Sequence, residues 1–400
     1  MKKVRITKER EVLEQYRQDF SICGKCKICQ ACHVQEVHHE RFWRNCPSGM
    51  RFCYEAYYAS GKLELANAIV KGEISPGERA SHILYTCMLC GSCEEQCYGV
   101  KQMYPLRVIE LLRERAVKDG WGPPEAFEGA VKNVKERKNL YGIGDRKSKL
   151  ADAISDQVKR RTSETLVFFG CNFMAHEELK GEARAILSVL ENLGIDYSVL
   201  DVEKCCGAPL LELGMRDEFE EIASENIERI ESAGIRRIVT PCAHCAYVFS
   251  EEYSRFIDLE VLHLTQLISE HLGDLTLKWK GEVSKVAYHD PCMLGRRLEV
   301  YKEPRRILEL ISGLDVIEFE RSGKNALCCG GGGMAWWAYP RYSSWVTSER
   351  LFEAKWVGAE VIATACPLCQ WIFQRTARKN YPEIKVLGIF SLLENAMEAG

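Results

Sequence analysis

The sequence lacks the features that direct a chain to a membrane, a nucleic acid or a nucleotide. No apolar run approaches the roughly 18–20 residues that span a bilayer, and the basic N-terminus (MKKVRITKEREVLEQYRQ) has no apolar signal-peptide core. A net charge of −3 gives no field that favours nucleic acid. No G-x-G-x-x-G follows a predicted strand. From the 400 residues we expect a cytoplasmic protein of two to four domains, with no flavin or NAD on this chain.

Cysteine, by contrast, is abundant, at 20 residues. A disulfide framework suits short secreted chains, and adjacent cysteines close loops that are too small for unstrained bridges. Structural zinc favours paired C-x2-C knuckles, whereas this chain has runs of three or more cysteines and adjacent doublets. Iron–sulfur ligation accommodates both patterns, so we interpret nearly all the cysteines as ligands of about four clusters.

The strongest local motif is a bacterial ferredoxin run, C-x2-C-x2-C-x3-C. Its cysteines are Cys87, Cys90, Cys93 and Cys97. Three thiolates on one tight loop can bind three corners of a cubane, and the fourth cysteine commonly serves the other cluster. The motif therefore predicts a partner cluster nearby.

A partner run precedes it, with Cys23, Cys26 and Cys29 in C-x2-C steps and an ambiguous fourth ligand. Cys32 stays within the same loop, whereas Cys46 carries the expected proline but lies 17 residues beyond Cys29. We favour Cys32 and keep Cys46 as the alternative. Cys53 is expected on a helix as a core residue. His33, His38 and His39 could replace a cysteine on iron, although exposed loop histidines are the commoner explanation.

From about residue 164, strands alternate with helices, and the order repeats. Each copy has a first cysteine after a strand, a Cys-Cys-Gly doublet after a helix, and a C-x2-C pair after another strand. The first copy holds Cys171, Cys205, Cys206, Cys242 and Cys245; the second holds Cys292, Cys328, Cys329, Cys366 and Cys369. Matching cysteines are 121 to 124 residues apart, which indicates a duplication. Ligands of open α/β sheets bind at the carboxyl ends of strands, where four of these cysteines are predicted.

The five-cysteine pattern resembles the CCG (cysteine-rich) domain in the B subunit of heterodisulfide reductase, and the N-terminal region resembles the C subunit. The fused order resembles the D subunit and related proteins. The resemblance implies one non-cubane [4Fe-4S] cluster on each five-cysteine set, besides two cubane [4Fe-4S] clusters. It also implies the fold: an α+β multidomain chain, with an α-helical two-cluster ferredoxin domain (1–120), a basic helical linker (121–163) and two α/β, Rossmann-like CCG domains (164–280 and 281–400).

The resemblance implies an oxidoreductase that reduces a disulfide, of the CoM-S-S-CoB type, between its two non-cubane clusters. The alternative is a non-catalytic relay in a flavin-based complex. Such a relay would serve a glycolate, lactate or glycerol-3-phosphate dehydrogenase, or an acyl-CoA or benzoyl-CoA reductase. The expected partners are a flavoprotein similar to that of heterodisulfide reductase or a membrane cytochrome, in a hetero-oligomeric complex that could associate with the membrane through that partner.

Three further features lie near these motifs. His289 and His244 adjoin predicted ligands and are candidate proton donors, although a structural hydrogen bond is at least as common. Gly330–Gly333 allow a close backbone approach, and the aromatic run after them (Trp336, Trp337) could wall a substrate pocket or pack in a core. The basic segment 131–161 could dock an acidic partner, although a solvated linker is the commoner explanation.

Overall fold

The computed structural model describes residues 10–32, 36–143, 163–200, 202–273, 277–282 and 285–397. His33 and residues 144–162 of the predicted linker lie outside the described residues. In the described ranges, no helix combines the length and apolar character needed to cross a membrane.

The N-terminal region is helical. Its helices are α1 (Arg17–Ser21), α2 (Pro47–Phe52), α3 (Ala59–Val70), α4 (Glu78–Tyr85), α5 (Ser92–Lys101), α6 (Pro105–Lys118) and α7 (Glu128–Arg137). Helix α6 buries Leu106, Ile109 and Leu112 at helical spacing, so one apolar stripe organises the region. The helix predicted around Cys53 is interrupted. Cys53 follows α2 with φ +60° and is exposed, so its expected core position is wrong.

Two parallel sheets follow. The first has the order β1 (Thr165–Val167), β2 (Arg237–Thr240), β3 (Glu260–His263). The second has the order β7–β5–β8–β9. Here β5 is Lys285–His289, β7 is Asp315–Ile317, β8 is Val361–Thr364 and β9 is Lys385–Gly388. A small parallel pair joins β4 (Leu277–Lys278) to β6 (Ile311–Ser312).

The two sheets repeat one topology. The strand predicted at 195–200 is reduced to a single bridge, in which Ser198 pairs with Leu166 of β1. Ser198 therefore occupies the edge that β7 occupies in the second sheet. With this bridge included, the order is the same in both copies, as the spacing of the cysteines predicts.

Helices cover both sheets. In the first copy they are α8 (Cys171–Ala175), α9 (Lys180–Asn192), α10 (Ala208–Leu213), α11 (Arg216–Ser232), α12 (Ala243–Tyr247) and α13 (Leu264–His271). In the second they are α14 (Lys302–Glu309), α15 (Ala335–Ala338), α16 (Pro340–Trp356), α17 (Pro367–Asn380) and α18 (Ile389–Met397). Helices α9, α11 and α16 are followed by Gly194, Gly234 and Gly358, each with positive φ, as expected for glycine C-caps.

The two copies share their hydrophobic core. Side chains of α9 pack in one cluster with those of α18 and the second sheet. The buried carboxylate of Glu182 on α9 accepts N–H bonds from Phe390 (3.0 Å) and Ser391 (3.3 Å) at the start of α18. A side chain of the first copy, Glu182, thus caps helix α18 of the second copy, and this contact helps to hold the two copies together.

The described part of the predicted linker packs against the first copy. The amide of Cys205 donates to the carbonyl of Lys138 at 2.7 Å, and the ammonium of Lys138 pairs with Glu225 at 2.6 Å. Helix α7 buries Ala130 and Val134. Residues 131–143 are therefore part of the fold rather than a solvated connection.

Candidate iron–sulfur site

The cysteines of the duplicated region gather at the carboxyl ends of the parallel strands. Cys171 follows β1, Cys242 follows β2, Cys292 follows β5 and Cys366 follows β8, as the sequence predicts. We call the five cysteines of the first copy group 3 and those of the second copy group 4. All ten thiols are buried. Ten buried thiols at two matching sheet edges are far more than packing requires.

Backbone amides point at the sulfur atoms of the doublets. Gly207 N donates to Cys205 Sγ and Gly330 N donates to Cys328 Sγ, each at 3.4 Å. Gly330 has φ +101°, and a Cβ there would lie 2.7 Å from the carbonyl oxygen of Ser343. The Cys-Cys-Gly sequence thus needs glycine to turn an N–H toward a thiolate.

Groups 3 and 4 meet at their C-x2-C pairs. The Sγ atoms of Cys242 and Cys366 and a ring nitrogen of His244 all lie within 4.8 Å of one another. His244 Nε2 is 3.4 Å from a carboxylate oxygen of Glu212. Burial lowers the pKa of His244, but Cys366 and Glu212 raise it more, to about 10. His244 therefore sits between the two groups with a carboxylate behind it.

A small cavity reaches the same histidine. Its walls include Arg107, Glu114, Arg216, Glu252 and Glu212, and His244 lies at one side. Its volume of about 40 Å³ exceeds the ~10–15 Å³ that one water needs. A cavity of this size admits water rather than an organic disulfide.

His289 is fully buried against group 4. One of its ring nitrogens lies within 4.8 Å of the Sγ atoms of Cys329 and Cys369. Nδ1 accepts an N–H from Arg350 Nε at 3.3 Å, so the proton of the neutral ring is on Nε2. Burial, followed by Arg350, holds the pKa of His289 well below its usual value. His289 is thus arranged as an N–H donor.

The first ferredoxin-like set lies at the surface of the helical region. We call Cys23, Cys26, Cys29 and Cys97 group 1. After burial, the neighbouring thiols of Cys29, Cys23 and Cys26 raise the pKa of Cys97 to about 12. The fourth residue of the second run therefore lies beside the first three of the other, as the ferredoxin pattern predicts. Cys26 is exposed, whereas Cys29 and Cys97 are buried.

The second ferredoxin-like set includes Cys46 rather than Cys32. We call Cys46, Cys87, Cys90 and Cys93 group 2. After burial, Cys87 and Cys46 are the nearest charges that raise the pKa of Cys93. The structure thus does not bring Cys32, which we favoured from the sequence, to either run.

Cys32 lies in a different environment. It is buried with Val37 and Phe42, and its Sγ is 3.6 Å from the carbonyl of Phe42 and 3.8 Å from that of Asn325. Its pKa is raised to about 12 by burial, and the charged groups acting on it are arginines and a glutamate rather than other cysteines. His39 accepts an N–H from Arg41, and His38 is exposed.

The four groups form a continuous series. Cys29 of group 1 is among the thiols that act on Cys93 of group 2. After burial, Cys328 of group 4 is the strongest influence on Cys90 of group 2 and helps to raise its pKa to about 12. Cys366 of group 4 meets Cys242 of group 3. The spatial order is therefore 1, 2, 4, 3.

Two buried arginines, which the sequence analysis missed, fix the loop of group 2. Arg113 donates to the carbonyls of Cys87 (2.7 Å) and Leu84 (3.1 Å), and also to that of Glu212 in the first copy. Arg296, in the second copy, donates to the carbonyl of Cys90 at 3.0 Å. No sequence signal identifies these arginines, because their partners are main-chain carbonyls distant along the chain.

The glycine run approaches the same loop. A Cβ on Gly332 would lie 2.2 Å from the carbonyl oxygen of Met88, and one on Gly333 would lie 2.3 Å from that of Cys87. The predicted close approach is therefore between two backbones, the second copy and the ferredoxin-like run. It brings groups 2 and 4 together.

The aromatic run packs in the seam between the copies. The rings of Trp336 and Trp371 are 5.3 Å apart, and Trp371 stacks on His176 of the first copy at 4.0 Å. Tyr141 lies 5.9 Å from Trp336, and its pKa is raised by burial and by Cys171, Cys242 and Cys205 of group 3. Aromatic side chains thus pack beside group 3.

The residues fit iron–sulfur clusters. Among the described residues, His289 Nε2 is buried without a hydrogen-bond partner, and a ring nitrogen of His289 lies within 4.8 Å of two thiols. A sulfide or thiolate sulfur would accept this N–H, just as the sulfur atoms of Cys205 and Cys328 already accept backbone amides. Groups of four and five converging thiols suit iron better than zinc, which takes four ligands.

Comparisons with known proteins agree with this interpretation. Residues 165–250 and 286–374 each match the cysteine-rich (CCG) domain. The chain is 30% identical to the D subunit of dihydromethanophenazine:CoB–CoM heterodisulfide reductase from Methanosarcina acetivorans, over 80% of this chain and 78% of that protein.

Two other relatives differ in name and length. The B subunit of fumarate reductase (CoM/CoB) from Methanothermobacter marburgensis is 30% identical over 78% of this chain, which spans only 61% of that protein. EtfAB:quinone oxidoreductase of Syntrophomonas wolfei is 26% identical over 82% of this chain and 49% of that protein. The relatives are iron–sulfur oxidoreductases or components of them, so an electron-transfer role follows for the shared region.

Proposed function

We propose that this chain, which belongs to the family of the heterodisulfide reductase D subunit, is the iron–sulfur component of a similar complex. In that complex it reduces a small disulfide. In this proposal groups 1 and 2 bind cubane [4Fe-4S] clusters, and groups 3 and 4 bind non-cubane [4Fe-4S] clusters. Cys46 replaces Cys32 as the fourth ligand of group 2. The substrate class, a disulfide of the CoM-S-S-CoB type, comes from the relatives' names.

The observation that carries the proposal is the continuous series of thiols from the surface to the seam between the copies. Group 1 adjoins group 2, group 2 adjoins group 4, and group 4 meets group 3 at Cys366 and Cys242. Clusters bound there would each carry one electron at a time, so a pair can divide a two-electron reduction. The protein's part is to hold the thiols in this order and to bury those of groups 3 and 4.

Electrons enter at group 1, where the thiol of Cys26 is exposed. Ile22 is 57% exposed and Val100 55% exposed, and Lys25 and Lys27 are exposed beside them. Apolar side chains ringed by lysines suit a protein partner. We assign this surface to the flavoprotein or membrane cytochrome of a hetero-oligomeric complex. In the second case the cytochrome would hold this cytoplasmic chain at the membrane.

Protons for the product thiols enter through His244. It touches both C-x2-C pairs and borders the cavity with carboxylate walls. His289 is less suited to this role, because its ring is sealed behind group 4 and Arg350 occupies its Nδ1. We therefore keep His244 as the proton donor and assign His289 to a hydrogen bond with group 4 sulfur.

A second candidate function is a relay without catalysis. The stacked His176 and Trp371 close part of the seam beside group 3. One relative is named as an EtfAB:quinone oxidoreductase, which indicates that the shared region also serves flavoprotein-linked electron transfer. In this case the chain would pass electrons to a dehydrogenase or an acyl-CoA or benzoyl-CoA reductase.

The test is spectroscopic. The full chain is purified anaerobically, its iron and sulfide are counted, and its EPR spectrum is recorded with and without an aliphatic thiol and the matching disulfide. Disulfide reduction predicts about four clusters and a thiol-dependent change in the signals of the non-cubane pair. Four clusters whose spectra do not change when the thiol or the disulfide is added would support the relay. Bound zinc, or two cubanes alone, would refute both candidates.

A further inference from the structure

The two copies differ in charge around their cysteine groups, although their topology is the same. The first cysteines, Cys171 and Cys292, provide the alignment between copies. Four residues after this cysteine, the first copy has Ala175 and the second has Arg296. Three residues before it, the first copy has Phe168 and the second has His289. The strand register agrees, because Phe168 N donates to the carbonyl of Val239 in β2, three residues before Cys242. His289 likewise pairs with Thr364 in β8, two residues before Cys366. The duplication has therefore diverged at residues that adjoin the sulfur atoms.

Arg296 places a positive charge between groups 2 and 4. It is 7% exposed and donates to the carbonyls of Cys90, Lys324 and Ala326. Among the described residues no carboxylate is within ion-pair distance of its guanidinium. Cys90 of group 2, followed by Tyr301 and by Cys292 and Cys328 of group 4, raises its pKa against the effect of burial. No carboxylate therefore neutralises the charge of Arg296, and the neighbouring cysteine groups are the available negative charges.

The other charges near group 4 leave this excess in place. Arg305 pairs with Asp290 at 2.7 Å, and Glu353 pairs with both Arg321 and Arg350 at 2.9 Å. Arg305 also pairs with Glu318 at 2.6 Å, so three carboxylates match these three arginines and the charge of Arg296 remains in excess. His289 also places a ring nitrogen within 4.8 Å of the Sγ atoms of Cys329 and Cys369.

Group 3 has the opposite environment. Glu203, two residues before Cys205, is 6% exposed and accepts the amides of Phe169 (2.9 Å) and Gly170 (2.7 Å), which precede Cys171. The matching residue in the second copy is Ala326. Arg229 partly balances the charge of Glu203.

The side chains near the group 3 thiols are largely neutral. Tyr253 donates to the carbonyl of Cys206, and Phe168 packs on Phe249. Group 3 is thus surrounded by neutral groups and by Glu203, whose pKa burial raises to about 7, except where it meets His244, which it shares with group 4.

We propose that the two non-cubane clusters have different reduction potentials. The cluster of group 4 has the higher potential, and Arg296 is the positioning residue chiefly responsible for the difference. An added electron makes a cluster more negative, and a buried positive charge stabilises that state, while a buried carboxylate destabilises it. The first electron to leave group 2 therefore stays on group 4, next to Arg296, before group 3 is reduced. This inference rests on the proposed function only in requiring clusters on groups 3 and 4.

The experiment is an EPR-monitored redox titration of the anaerobic full chain. We expect two separate midpoints for the non-cubane pair in the unaltered protein. Arg296→Gln should shift the higher midpoint to a more negative potential and leave the lower one in place. His289→Phe, which introduces the first copy's residue, should shift the same midpoint by less. Glu203→Gln should instead raise the lower midpoint.

Arg297→Gln is the matched control, because the neighbouring guanidinium is neutralised by Glu110 at 2.6 Å. It should leave both midpoints in place. If Arg296→Gln fails to bind a full set of iron, Arg296→Lys keeps the charge and should keep the higher midpoint. A single shared midpoint in the unaltered protein, or equal effects of the Arg296 and Arg297 variants, would overturn the inference. Absence of non-cubane signals from the unaltered protein would instead refute the proposed function.

Discussion

Cys242 and Cys366 place their Sγ atoms within 4.8 Å of each other, although they belong to different copies of the duplicated region. They are the equivalent first cysteines of the two C-x2-C pairs. The two copies therefore approach each other at these two thiols, and His244 lies at the same contact. A pair of clusters bound there would face each other across a seam that also carries the aromatic cluster of Trp336 and Trp371.

The fourth ligand of group 2 can be tested by two serine substitutions. Cys46→Ser should lower the iron content by up to about four atoms per chain and remove one cubane signal, since Cys46 lies with Cys87 and Cys93. Cys32→Ser should leave the iron content unchanged, because the Cys32 thiol contacts carbonyls of Phe42 and Asn325. Iron analysis and EPR provide the measurement. Iron loss in the Cys32 variant alone would restore the sequence-based preference.

This ligand shows where sequence reasoning ended. Spacing predicted both five-cysteine sets, all four cysteines of the second ferredoxin-like run and the first three of the first run, because those cysteines are local or repeated. Cys46 is 17 residues from Cys29 in sequence. An antiparallel bridge between Ala31 and Arg44, with a bond from Asn45 N to the carbonyl of Gln30 at 3.1 Å, brings it back. A preference for the nearer cysteine could not foresee that tertiary pairing.

The arginines show the same limit. Parallel sheets and glycine-capped helices follow from hydrophobic pattern, so the architecture of each copy was predictable. How the helical region meets the copies was not, because Arg113 and Arg296 bind main-chain carbonyls and carry no motif. The glycine run indicated a close approach, but only the structure identifies the opposite backbone as that of Cys87 and Met88.

Gly330 should be required for group 4. Gly330→Ala would place a Cβ 2.7 Å from the carbonyl oxygen of Ser343 at φ +101°, which would displace the N–H that points at Cys328. We expect loss of the group 4 signal and reduced iron content. Gly358→Ala is the control, because its φ is +78° but nothing lies within 4 Å of the added Cβ. It should cost only ~1 kcal/mol of stability and keep all iron. Full iron content in the Gly330 variant would contradict the assignment.

Arg113 should hold the helical region on the duplicated region. Arg113→Gln would remove the charged hydrogen bonds that the carbonyls of Leu84 and Cys87 accept in a buried site. Since a hydrogen bond to a charged group contributes ~1.5–3 kcal/mol, we expect a loss of about 3 kcal/mol in the free energy of unfolding. Anaerobic urea denaturation measures it. The exposed Arg41→Gln should change stability by under ~1 kcal/mol, although its ion pair with Glu349 is lost. Equal effects of the two variants would exclude a clamping role for Arg113.

Glu182 should make stability depend on pH. Burial raises its pKa from 4.5 to about 7, against the hydrogen bonds from Ser391 and Phe390 that lower it. The folded protein therefore keeps this proton at pH values where the unfolded chain has lost it. Stability contributed by the protonated carboxyl is complete below pH 4.5 and is lost as the pH rises toward about 7.

Glu182→Gln removes this titration while keeping an acceptor oxygen for the start of α18. Relative to the variant, the unaltered protein should lose up to about 3 kcal/mol across that window, because one pKa unit corresponds to about 1.4 kcal/mol. Denaturation midpoints measured anaerobically at several pH values provide the comparison, with the exposed Glu309→Gln as control. Parallel pH profiles for the unaltered protein and the Glu182 variant would mean that the carboxylate stays ionised at the helix N-terminus, where backbone amides stabilise it.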